Sequence, residues 1–169
     1  EQANAKRRTP RSRSLAAKAS FALASAEIEK FNAAKLTLPL KQSLKRKKEL
    51  LNQSVKAFEN VAAYGVAEYS AAATHHIAGL YRQLAKDLMA SERPSELDAL
   101  QREQYDILLE EQAYPFEEQA MDLYRLNVAR APNGQFDEWV KASFEVLAQM
   151  NPTEYLREPK LPQVSYAPY

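Results

Sequence analysis

Two adjacent histidines, His75 and His76, and two copies of Glu-Glu-Gln-Ala seven residues apart are the side chains best suited to chemistry. The copies supply Glu110, Glu111, Glu117 and Glu118, with Tyr114-Pro115-Phe116 between them. Paired carboxylates can act as general acid and base. In helical bundles they bridge metals, but that site needs Glu-x-x-His. Ala72 and Ala73 stand three residues before the histidines, so the motif is absent. Neighbouring histidines on a helix diverge by about 100° and do not readily share an ion. His76 is expected at the edge of an apolar stripe and His75 toward solvent. There is no Gly-rich phosphate loop, no HExxH and no GxSxG. No spacing joins Ser, His and Asp into a triad. With no cysteine, disulfides, thiolate catalysis and Cys-bound zinc are excluded. The expectation is a non-enzyme without cofactor or metal.

The acids must then be explained by the element that carries them. At about 100° per residue, Tyr105, Leu109, Ala113, Phe116, Ala120 and Leu123 fall within about 80° of one another, and the four glutamates lie opposite. That is an amphipathic helix with a wet acidic side. Pro115 is expected to end one helix and open the next. Glu117 and Glu118 would then sit in a first turn, where the helix dipole favours acids by about 0.3–1 kcal/mol each. A second reading makes the four glutamates an acidic patch for a basic partner.

The chain has 169 residues, only three of them glycine, and 46% apolar content. Alanine is abundant and β-branched runs are missing, which is an all-helical composition. No run of 18 apolar residues could span a membrane. The polar, basic opening without Met is expected of a segment of a longer protein. Residues 1–50 hold 13 Lys/Arg against 4 Asp/Glu, and residues 51–169 hold 10 against 18.

Six helices are expected. Thr9-Pro10 reads as an N-cap and first helical residue, leading a helix with Ala17, Phe21, Ser25, Ile28 and Phe31 on one face. A second runs from about Pro39 to Ala63 and ends at Gly65. A third covers about Ala67 to Ala90. Ser95 with Asp98 resembles a capping box for a fourth, about Glu96 to Ala113. The fifth reaches Ala131, and Asn133-Gly134 makes a turn. The sixth covers about Phe136 to Met150, with a short turn of helix after Pro152. Residues 1–10 form a basic extension, 11–157 one helical domain, and 158–169 a Pro-rich tail.

"FEEQAMDLYRLNVARAP" has a small residue, Ala120, an aromatic four later, Tyr124, and a closing Pro132. Ser54 and Phe58 repeat the first two positions. "THHIAGLY" carries Ile77, Ala78 and Tyr81. These spacings resemble the tetratricopeptide repeat, a pair of antiparallel helices of roughly 34 residues. The resemblance implies degenerate antiparallel hairpins in a solenoid, with small residues admitting close helix approach. "SLKRKKELL", "AYGVAEYSAAATHHIAGLYR", "DLMASERP" and "LLEEQAYPFEEQA" further resemble the C-terminal part of large bacterial tetratricopeptide-repeat envelope proteins that accompany TolQ/ExbB-type motors and TonB-type components. That likeness spans about residues 11–157. It implies a scaffold or adaptor in a cell-envelope assembly, periplasmic, with no catalytic residues to transfer. The absence of cysteine fits cytoplasm or periplasm alike.

On this reading a protein or peptide binds in the groove lined by successive first helices. Tyr69, His75, Tyr81 and Arg82 are its candidate contacts. The alternative is a nucleic-acid binder using Arg7, Arg8 and the block Lys45, Arg46, Lys47 and Lys48. Against it, the block shares a helix with an apolar face and reads as solvated, and the first run lacks aromatics for base stacking.

Overall fold

A computed structural model describes residues 9–155. The protein is all-α, with six helices and no strand among the described residues: α1 (Pro10–Ala33), α2 (Leu40–Ala62), α3 (Ala67–Met89), α4 (Ala99–Val128), α5 (Glu138–Met150) and the single turn α6 (Pro152–Tyr155). A 3-10 turn, Ala131–Asn133, links α4 to α5 and ends on Gly134, whose φ of 80° only glycine adopts without strain. The basic extension up to residue 8 and the Pro-rich tail 158–169 lie outside the described residues.

Local chemistry starts each helix. The Thr9 hydroxyl accepts the Ser12 amide at 3.1 Å, and Pro10 opens α1 as expected. The capping box falls one pair later than Ser95–Asp98. Asp98 accepts the Gln101 amide at 2.8 Å, and the Gln101 side chain accepts the Asp98 amide at 3.0 Å. This pair satisfies two helix-end donors at once, so α4 begins at Ala99. Asp137 caps α5 through the amides of Trp139 and Val140.

Pro115 does not divide the fourth helix from a fifth. It lies inside α4, one continuous helix of 30 residues. Proline there deletes one backbone hydrogen bond and costs about 3 kcal/mol. Pro115 and Glu111 are both exposed, so the carbonyl left without its donor is on the water side. Leu109 and Ala113 before it, and Ala120 after it, are all buried on the other side. Burial on both sides of the proline outweighs the missing bond. Glu117 and Glu118 are therefore mid-helix, and the helix-dipole explanation for them falls away.

Each helix packs on its neighbour in sequence, and α1 also meets α3 while α3 meets α5. One core joins α1 to α4 around Phe31, Leu51, Phe58, Leu84 and Leu88. A second joins α3, α4 and α5 around Ala78, Ala120, Tyr124 and Leu147. The expected small positions sit in these contacts. Ser54 is buried between α1 and α2 and donates to the Glu27 carbonyl at 3.2 Å and the Leu50 carbonyl at 2.9 Å. Phe58, Ala78 and Ala120 are fully buried, and Ile77 and Tyr124 nearly so. Pro132 is exposed in the 3-10 turn.

Candidate functional site

His75 is half-buried rather than turned to solvent. Packing of α5 over α3 encloses it between Tyr124, with ring centroids 5.4 Å apart, and Trp139, at 5.5 Å. A single-helix projection assigned it to solvent because it contains no information about α5. Its Nδ1 lies 2.9 Å from the Ser143 hydroxyl. Ser143 in turn donates to the Trp139 carbonyl at 2.7 Å and accepts from Asn127 Nδ2 at 2.9 Å. The hydroxyl has one proton and two lone pairs. The count closes when His75 carries its proton on Nδ1 and donates the third bond, an assignment made from the network. Burial pushes the His75 pKa below its ordinary value, which keeps the ring neutral.

Asn127 is fully buried and ties three helices together. Its Nδ2 reaches the Ala71 carbonyl on α3 at 3.1 Å and the Trp139 carbonyl on α5 at 3.4 Å. Ser143 and His75 stand at the distance of a nucleophile and its base. Ser143 is 0% exposed, however, so no substrate can approach its oxygen. The pair is a polar lock.

His76 occupies an aromatic cage. Phe58 stacks on it at 5.1 Å, Phe21 lies at 5.4 Å and Trp139 at 5.0 Å. Burial, with a smaller contribution from His75, pushes its pKa down to about 4. The cage is where α1, α2, α3 and α5 meet. Among the described residues no group of three or more His, Cys, Asp or Glu is arranged to hold a metal.

The four residues expected in one groove point to different places. Tyr69 is half-buried beside Phe21, with centroids 6.0 Å apart. Tyr81 stacks on Phe116 of α4 at 6.4 Å, and burial, then Glu59, pushes its pKa up. Arg82 reaches Gln149 of α5 at 3.5 Å. His75 is half-buried against Tyr124 and Trp139.

The row α1–α3 instead forms a cleft of about 150 Å³ lined by Ile28, Asn32, His76, Gly79, Leu80 and Gln83. Asn32 and Gln83 were missed in the sequence. Nothing marks a lone amide as facing a groove until two helices are placed side by side. A larger cleft of about 780 Å³ lies at the α1–α2 junction, with Lys30, Lys35 and Arg46 on its walls.

The basic block 45–48 is split by the fold. Lys45 and Arg46 are exposed. Lys47, read as part of a solvated face, is 1% exposed: its Nζ donates to the Ala34 carbonyl at 2.7 Å, pairs with Asp87 and lies 4.6 Å from the Phe31 ring centre. The ammonium satisfies the end of α1, where free carbonyls attract cations. Lys48 lies over the Phe116 ring at 5.1 Å. Arg7 and Arg8 lie outside the described residues. Glu110, Glu111, Glu117 and Glu118 are all exposed on α4.

The fold defines an all-α class of protein in which polar locks join consecutive helices. No protein-family model, curated protein or solved structure matches the chain. No helix among the described residues is long and apolar enough to cross a membrane.

Proposed function

We propose that the protein is an adaptor of tetratricopeptide-like design that binds an extended peptide along the row α1–α3–α5. The observation that carries this reading is the cleft between α1 and α3. Asn32 and Gln83 face it from opposite helices, and Gly79 also lines it. Amide side chains both donate and accept, which suits a peptide backbone whose own bonds are unmade. The Gln83 nitrogen already donates one bond to Asp87 at 2.8 Å, which fixes its amide and leaves its oxygen for a peptide N–H. The contacts of α1 with α3 and of α3 with α5 support a solenoid in which the odd-numbered helices form the inner row. The burial of Ser54 and Phe58 on α2, and of Ala120 and Tyr124 on α4, supports second-helix roles for these segments.

The partner is a protein component of a bacterial envelope assembly, in the periplasm, a choice that rests on the sequence resemblance. The test is affinity capture from bacterial envelope extract with the native protein and with Asn32→Ala/Gln83→Ala. Motor-type envelope components recovered with the native protein and lost with the variant support the reading. Recovery of cytoplasmic nucleic-acid machinery alone refutes it.

A further inference from the structure

The doubled Glu-Glu-Gln-Ala gains meaning from the continuity of α4. Because Pro115 does not end the helix, the two copies share one axis and one register. Leu100, Ile107 and Tyr114 recur every seven residues and are 64%, 50% and 60% exposed. At about 100° per residue they fall within about 40° of one another, a straight apolar rail on the side away from the core. Glu103, Glu110 and Glu117 keep the same period along one edge of that rail. Glu111 and Glu118 keep it along the rail's middle and other edge.

None of these five glutamates makes an ion pair or side-chain hydrogen bond with another described residue. An ordinary solvated face scatters its apolar residues singly. A seam between two packed helices repeats apolar residues about every 3.5 positions. Helix α4 supplies one of the two in each seven, and Glu103, Glu110 and Glu117 hold the other, so a partner must bring cations there. Here the rims carry a single sign of charge, so the face repels an identical copy of itself and attracts the opposite sign.

We propose that the outer face of α4 docks a basic amphipathic helix of a partner protein, with an apolar residue at every seventh position and Lys or Arg flanking it. Its apolar residues pack between Leu100, Ile107 and Tyr114, and its cations pair with the glutamate rims. This surface is separate from the α1–α3 cleft, and neither proposal depends on the other.

The test uses a synthetic helical peptide of three seven-residue repeats with Leu in register and Lys on both flanks. The control peptide has the same composition with the Leu spacing scrambled. Fluorescence anisotropy is expected to give at least tenfold tighter binding for the registered peptide. Ile107→Ser/Tyr114→Ser, at exposed positions, should weaken it at least tenfold with an unchanged melting temperature. Glu103→Gln/Glu110→Gln/Glu117→Gln should weaken it and flatten its salt dependence. Asn32→Ala/Gln83→Ala should leave it unchanged. Equal binding of both peptides, or binding indifferent to Ile107→Ser/Tyr114→Ser, overturns the proposal. So does self-association of the protein alone that Ile107→Ser/Tyr114→Ser abolishes, since the face would then belong to a second copy.

Discussion

His75 Nδ1 and the Ser143 hydroxyl, 68 residues apart in the chain, meet at 2.9 Å inside the contact of α3 with α5. The bond belongs to a network that Asn127 closes from α4. Ser143→Ala should cost about 1–3 kcal/mol, because the half-buried His75 and the buried Asn127 lose an acceptor. Asn127→Ala, which removes the Nδ2 bonds that tie α4 to α3 and α5, should cost a comparable amount. Urea denaturation measures both. A loss below about 0.5 kcal/mol for either would mean that the network is relieved by rearrangement.

Acid should weaken the fold through His76. In the folded protein its pKa is about 4, against 6.5 for the free side chain. Between those values the unfolded chain binds more protons, so stability is full above pH 6.5 and falls toward pH 4. The gap corresponds to about 3 kcal/mol for a sealed ring. Partial exposure trims this to about 2 kcal/mol. His75, lowered by burial, adds a contribution of the same sign. His76→Phe should flatten the difference in urea midpoint between pH 7 and pH 5. An equal slope in both proteins would move its origin to other groups.

Lys47→Ala should destabilise by about 3 kcal/mol, since it leaves Asp87 and the Ala34 carbonyl without their cation. Lys47→Met/Asp87→Leu, which removes both charges and keeps the packing volume, should recover most of that loss. A double-mutant cycle by chemical denaturation checks the coupling. Additive losses would show that the pair contributes no coupling.

Pro115→Ala should stabilise, by up to about 3 kcal/mol, because it restores a helical hydrogen bond within α4. At roughly 2–4 °C per kcal/mol for a chain of this size, the melting temperature should rise by several degrees. A proline at a turn between two helices would give no gain or a loss. Calorimetry of this one variant therefore separates a continuous α4 from a broken one.

The elements were legible because their signals are local. Thr9-Pro10, Gly65, Gly134 and the spacing of Phe21, Ile28 and Phe31 act within one or two helical turns, and helix boundaries follow them to within a few residues. The all-helical class came from the same short-range pattern. The number six also agrees, although the expected six divided α4 at Pro115 and the observed six include the single turn α6. The acids of α4 were legible as an exposed side for that reason too.

Tertiary packing alone decided the rest. Pro115 carries a breaking signal, yet burial of Leu109, Ala113 and Ala120 against α3 holds the helix through it. Lys47 looks like one cation among four, and only the end of α1 and Asp87 draw it inside. His75 faces outward on its own helix and inward once α5 is laid over it. In each case a residue's surroundings come from a segment far away in the chain. The sequence by itself determined which segments are helical and which side of each is apolar. The tertiary structure decided which polar residues are sealed, because sealing depends on what another helix brings.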